Sequence, residues 1–163
     1  MAFSNRVSRM TDKVNKLPEF IRSWALSKAV GSIVKMVGYL KINIESMSFE
    51  QVVVSVANKK RVQNHIGGVH ACCTATLAET ATGLVVGMNV PDTSLNLLKS
   101  MKITYQKRST GGVKAVATLS NEQIESIRSV EKGELLVPVV VTDETGEEIV
   151  ACEMLWAWVP KKR

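Results

Sequence analysis

Aromatic side chains make up only 5% of this 163-residue chain, and it holds three cysteines and four prolines. The shortage of aromatics removes the stacking platforms that single-stranded nucleic-acid binders interleave with basic residues. Cys72, Cys73 and Cys152 are odd in number and two are adjacent. That pattern fits neither a disulfide framework nor a zinc site built from spaced C-x-x-C pairs, so the thiols are read as reduced and no metal or cofactor is expected. Unbroken apolar length is missing as well: Lys28 and Lys35 interrupt one stretch and Glu79 another, which predicts no membrane span. The opening stretch MAFSNRVSRMTDKVNKLPEF lacks the apolar core of a secretory signal, and Asp12 and Glu19 argue against a mitochondrial presequence. With no linker-like shift in composition, no internal repeat and no low-complexity tract, the expectation is a single cytoplasmic domain over residues 1–163.

What the chain has in excess is positive charge, a formal +6 with a pI near 9.3. Arg6, Arg9, Lys13 and Lys16 are clustered, KKR occurs at 59–61 and again at 161–163, and Lys99, Lys102, Lys107 and Arg108 gather near one predicted strand. A small molecule with several phosphates suits such clusters as well as a polynucleotide does, and no nucleic-acid partner is expected.

Apolar residues at Leu17, Phe20, Ile21, Trp24, Val30, Ile33, Val34 and Val37 recur every three or four positions, which predicts an amphipathic helix with Pro18 in its first turn and Gly38 just past its end. The period then becomes two: Leu40, Ile42 and Ile44, followed by the β-branched run Val52, Val53, Val54 and Val56, predict two strands joined near Ser46–Phe49. The segment NHIGGVHACCTATLAETATG, residues 64–83, reads as a loop through Gly67 and Gly68 and then a helix reaching about Gly87. Cys72, Ala75, Thr76, Glu79, Thr82 and Gly83 fall on one small-residue face that permits close approach of another backbone. Beyond Pro91, four β-type runs follow, with Gly111-Gly112 and DETG at 143–146 as hairpin turns and NEQIESIRSVEKG as a short helix or loop. Strands this closely spaced pair antiparallel, so the fold class is α+β.

Glu79 is the one charged side chain between Asn64 and Gly83, and an ionised acid among apolar groups is costly unless it is paired, neutralised or used. The element order, together with N-x-x-G-x-x-H running from Asn64 through Gly67 to His70 and an acid nine residues further on, resembles hot-dog-fold thioesterases of the phenylacetate-degradation type and their uncharacterised thioesterase-like branches. The resemblance spans residues 39–160, leaving 1–38 as an N-terminal helical extension. It implies an antiparallel curved sheet wrapped around a central helix, an acyl-CoA substrate with coenzyme A as part of it, and a homodimer with shared active sites or a dimer of dimers. MKITY at 101–105 looks like the family's strand after the helix.

Chemistry assigns roles to the matching residues. Thioester hydrolysis needs a polarised carbonyl and a base or nucleophile. The first N–H groups of a helix carry partial positive charge suited to an oxyanion, so with a helix starting near His70 the N–H of Ala71 or Cys72 would be the donor. Asn64 would orient the carbonyl or a water, and His70 would order the helix start. Glu79 would be base or nucleophile, made more basic by its apolar surroundings. Gly67, Gly68 and Cys72 would border the substrate, and Lys99, Lys102, Lys107 and Arg108 would face its phosphates. Each role has a structural counterpart. Glu79 could be tied to Thr76 or Thr82, His70 could simply cap the helix, Asn64 could be a turn residue, Cys72 and Cys73 could be buried small residues, and the lysines could guard a strand edge. Trp156 and Trp158 are expected in core and dimer packing.

Helix geometry adds a constraint. At 1.5 Å per residue, Glu79 lies about 12 Å along the helix from Ala71, too far to share one carbonyl, so a second, antiparallel copy of the helix is needed. A non-catalytic acyl-CoA-binding or assembly module is the main rival, since Ala71 and Cys72 stand where the family has two glycines. A hydratase reading is disfavoured by the lack of D-x-N-x-x-H.

Overall fold

A computed structural model describes residues 3–162. Three helices come first: α1 (Arg6–Asn15), α2 (Glu19–Ile33) and α3 (Lys35–Leu40). After them run β1 (Asn43–Met47), β2 (Gln51–Val56), α4 (Ala71–Asn89), β3 (Ser94–Tyr105), β4 (Val113–Thr118), α5 (Asn121–Ser129), β5 (Gly133–Leu136), β6 (Val139–Asp143) and β7 (Glu148–Pro160). One seven-stranded antiparallel sheet, ordered β1-β2-β4-β6-β7-β3 with β5 also on β7, curves around α4. Leu77, Ala78, Ala81, Val85 and Val86 of that helix are wholly enclosed.

The expected architecture is therefore present, with four corrections of detail. First, the basic cluster from Arg6 lies on a helix of its own, α1, separate from the one expected to begin at Leu17. This helix buries Ser8, Thr11 and Val14, so two of its three inward positions are polar and apolar periodicity misses it. Its start is fixed by a reciprocal cap in which Ser8 N–H donates to Asn5 Oδ1 at 2.8 Å and Asn5 N–H donates to Ser8 Oγ at 2.9 Å. Asn5 Nδ2 also reaches the carbonyls of Gly87, Met88 and Val90 at 2.9, 3.1 and 2.7 Å, so one buried amide caps α1 and ties it to the open carbonyl end of α4.

Second, the single helix expected over 17–37 is two helices broken at Val34, whose φ of −94° and ψ of 93° are extended. Gly38 lies inside α3 rather than beyond a helix end, because the chain folds back there. A Cβ on Gly38 would stand 2.8 Å from the carbonyl oxygen of Gly31, so the two backbones meet where no side chain fits.

Third, Gly111-Gly112 does not close a hairpin. β3 lies at the sheet edge beside β7, while β4 sits between β2 and β6. The glycines instead let the crossing loop press against the β6–β7 turn: Gly111 has φ 70°, Thr110 N–H donates to Asp143 Oδ2 at 2.7 Å, and Gly112 N–H donates to Glu144 Oε1 at 2.8 Å. DETG does form the β6–β7 turn as expected, and the run GELLVPVVVTD is divided at Pro138, which lacks the N–H a continuous ladder would use. NEQIESIRS is helical, capped reciprocally by Ser120 and Gln123. It is held by Arg128, whose guanidinium lies over the rings of Phe3 and Phe49 at 4.3 and 4.6 Å.

Fourth, α4 is by length and composition long and apolar enough to cross a membrane, despite Glu79. More than half of it is enclosed by the sheet, which is the setting of a core helix. Trp156 and Trp158 are core residues as expected. A Cβ on Gly83 would stand 2.6 Å from the Trp156 ring, so glycine is what lets α4 and β7 approach this closely, and Trp156 Nε1 donates to Thr82 Oγ1 at 2.9 Å. Thr82 is thereby fully buried and does not belong to the open small-residue face.

Candidate active site

The loop before α4 is built by its own polar groups. Asn64 Oδ1 accepts from Ile66 N–H at 3.0 Å and Gly68 N–H at 3.1 Å, and Gly67 adopts φ 80°, a region open mainly to glycine. Asn58 Nδ2 donates to Gly67 O at 3.0 Å. Asn64 is thus the organiser of this turn, with its side-chain oxygen already engaged. His70 caps α4: its Nδ1 accepts from Cys72 N–H at 3.1 Å. Cys73 and Thr74 N–H both donate to His70 O. Among the described residues, the Ala71 amide has no acceptor and remains the open donor of the first turn.

Asn64, Gly68, Ala71, Lys107 and Arg108 come together around a hollow of about 240 Å³. Tyr105, which sequence reasoning passed over, closes one side and donates from its hydroxyl to Ala71 O at 2.7 Å. Burial, with the Cys72 and Cys152 thiols nearby, pushes its phenol pKa up. Local patterning gives no sign of this contact, since 34 residues separate the partners.

Glu79 lies elsewhere, on the wall of a cavity of about 970 Å³ between α4, β3 and the N-terminal helices. Val7, Met10, Ile33, Leu84, Leu97 and Trp156 give that wall its apolar character. Neither candidate hydroxyl holds the carboxylate. Thr76 Oγ1 donates to Cys72 O and Thr82 Oγ1 to Ala78 O, both at 2.8 Å. Burial alone pushes the Glu79 pKa up, as expected of an acid whose charge has no counterion. The hydroxyl of Thr80, its neighbour on the same wall, is buried with no hydrogen-bond partner among the described residues, a condition that buried polar atoms rarely show. Sequence reasoning missed it because threonine is unremarkable in a small-residue helix.

The predicted phosphate-binding residues are dispersed. Lys99 is paired with Glu134, Lys102 with Glu153 at 2.8 Å and Lys107 with Glu147 at 2.6 Å, so three of the four already have acidic partners, and Lys99 and Lys102 border neither hollow. Of the cysteines, Cys73 is pushed up to about 11 by burial, and Cys152 to about 11 by burial and Glu148, which suits neither to nucleophilic attack. Cys72 is exposed at the helix start. Among the described residues, no group of three or more His, Cys, Asp and Glu is arranged to hold a metal ion.

Similar proteins are found at the level of family and of fold. The model of the domain of unknown function DUF4442 matches residues 22–159. No protein of curated function matches in sequence. A crystal structure of a Pseudomonas aeruginosa protein of unknown function, described as a probable thioesterase, is 21% identical, with a TM-score of 0.75 over 89% of this chain and 97% of that one. A Haemophilus influenzae thioesterase is 14% identical, with a TM-score of 0.66 over 80% and 88%. A thioesterase family protein from Silicibacter pomeroyi is 12% identical, with a TM-score of 0.66 over 83% and 96%. At these identities the likeness is one of fold. The chain is a member of the DUF4442 family, and its sheet-wrapped helix is the hot-dog fold of thioesterase-like proteins.

Proposed function

We propose that the protein hydrolyses an acyl or aryl thioester of coenzyme A, using a site assembled from two copies of the chain. The observation that carries this reading is Glu79: an unpaired carboxylate with a raised pKa, at mid-helix on the wall of a large apolar cavity. Such a group is a stronger base than a carboxylate in water. The acyl chain would lie in the cavity and the thioester carbonyl against the Ala71 N–H of a second copy, whose antiparallel α4 brings that helix start beside Glu79.

Glu79 takes a proton from water as the water oxygen bonds to the carbonyl carbon, or attacks that carbon directly. The Ala71 amide holds the oxyanion. With water as the attacking group, the C–S bond then breaks, the coenzyme A thiolate leaves with the proton that Glu79 took up, and a carboxylic acid is released. With direct attack, C–S cleavage leaves a mixed anhydride on Glu79 and a thiolate; water then cleaves the anhydride, which releases the carboxylic acid, restores the Glu79 carboxylate and gives the remaining proton to the thiolate. His70 acts by fixing the first turn, and Asn64, Gly67 and Gly68 by holding the loop that delivers it. Lys107 and Arg108, which border the smaller hollow, are the basic residues placed to meet phosphates.

A second reading rests on the Cys72 amide, which His70 already occupies. With one open donor instead of two, the site could bind acyl-CoA without turning it over. Purified protein assayed with a panel of short to long acyl-CoAs and a thiol reagent separates the two readings. Thiol release on any member supports hydrolysis, and tight binding with no release reverses the order.

A further inference from the structure

The net charge of the chain is confined to one part of it. Residues 1–41 hold eight Lys and Arg against two Asp and Glu, and residues 42–163 hold thirteen of each. The whole +6 therefore sits on the N-terminal helices, and the sheet with its central helix is neutral. The same helices expose large apolar side chains: Phe20 is 86% accessible, Trp24 63%, Ile33 74% and Tyr39 76%, with Met36 and Val34 also open. At 100° per residue, Phe20, Trp24 and Lys28 run along one stripe of α2. The contact between Gly31 and Gly38 folds α3 back, with Lys35, Tyr39 and Lys41 exposed along it. A chain with few aromatics thus places three of them in water, among lysines, on a hairpin whose own sequence from 19 to 41 holds one acid, Glu19.

We propose that the α2–α3 hairpin docks the protein on an anionic phospholipid surface. Aromatic rings favour the boundary between headgroup and acyl chain, apolar side chains enter it, and lysines gain from anionic headgroups. A second copy is the poorer occupant, because a two-fold contact would set this positive face against itself. A polynucleotide would satisfy the lysines but offers Ile33 and Met36 no apolar host. Ile33 and Val34 also border the 970 Å³ cavity, so docking sets that cavity beside the lipid and gives an apolar ligand a path that avoids water. The proposal stands on charge and exposure and does not depend on hydrolysis.

The chain carries its own reporter. Trp156 and Trp158 are 5% and 1% accessible, so a blue shift of tryptophan emission on adding vesicles reports Trp24. Vesicles of phosphatidylcholine containing about 30% phosphatidylserine should shift the emission and co-sediment with the protein, while phosphatidylcholine alone should do neither. Salt near 0.5 M, or Lys28→Glu with Lys35→Glu and Lys41→Glu, should weaken binding at least about tenfold. Phe20→Ser with Trp24→Ser, at two exposed positions that leave the core untouched, should abolish co-sedimentation. The proposal is overturned if anionic vesicles give neither shift nor sedimentation, if neutral vesicles bind equally well, or if binding survives Phe20→Ser with Trp24→Ser. It is also overturned if the blue shift grows with protein concentration in the absence of lipid, which would assign the face to a second copy.

Discussion

The two hollows flanking α4 differ in how far their polar groups are already satisfied. At the helix start, Asn64 Oδ1, His70 Nδ1 and the Tyr105 hydroxyl all have partners within the chain, so this region is ordered before any ligand arrives. On the cavity wall further along the helix, the Glu79 carboxylate and the Thr80 hydroxyl have none among the described residues. The proposed acyl transfer needs a preorganised donor and a base, and the Ala71 amide and Glu79, given those roles above, lie about 12 Å apart along one helix. In the proposed reaction each copy would offer one half of a site to another copy.

The largest effect is expected on the unsatisfied side. Glu79→Gln keeps the shape and removes the base, so turnover should fall by at least about a hundredfold with the fold intact; a loss below about tenfold would place Glu79 outside the chemistry. Its stability should depend on pH. Burial raises the folded pKa of Glu79, so its contribution is full below the ordinary value of 4.5 and is lost as pH rises through the raised one. The glutamine variant should therefore melt higher than the parent at pH 8, with the gap closing below pH 4.5; a constant gap across a calorimetric pH series would contradict the burial argument.

The ordered side is broken with less disturbance. Ala71 is the first helical residue, where proline is tolerated, and His70 has φ −63° and ψ 140°, the extended geometry a following proline requires. Ala71→Pro should remove the one open N–H, lower kcat by about a hundredfold or more and shift stability by no more than about 0.5 kcal/mol. Steady-state kinetics beside a denaturant titration check both parts. Gly83→Ala acts on packing instead: its methyl would meet Trp156, which should cost about 1–3 kcal/mol in the same titration. The smallest effect is expected at the exposed pair Lys107 and Arg108. Alanine at both should raise KM for acyl-CoA about two- to fivefold at low salt, leave kcat largely unchanged and lose its effect at high salt. An unchanged KM at low salt would make them surface charge only.

The core of the fold was legible because α4 and the strands announce themselves by period, whereas the small-residue face, read as a place for another backbone, receives the Trp156 ring at Gly83. What stayed hidden was set by partners distant in the chain. Asn5 reaches carbonyls 82 to 85 residues away, and α1 turns Ser8 and Thr11 inward. Gly111-Gly112 carries a turn signature but serves a loop-to-loop contact with Glu144. At the candidate site, the motif located Asn64, Gly67 and His70, yet only geometry shows that they organise the helix start, and Tyr105 and Thr80 have no local signature. The paired lysines illustrate the same limit, since Glu134, Glu147 and Glu153 lie on other segments of the chain and neutralise a cluster that looked bare.

That the two halves belong to different copies is tested most directly by subunit exchange. Glu79→Ala and Ala71→Pro are each prepared inactive, shown to be folded dimers, mixed in equal amounts and allowed to exchange, with mixed dimers verified by a mass tag on one variant. Random pairing makes about half the dimers mixed, each with one intact site and one doubly damaged, so activity should return to about a quarter of wild type. A mixture that has exchanged and remains as inactive as its parents would contradict the shared site.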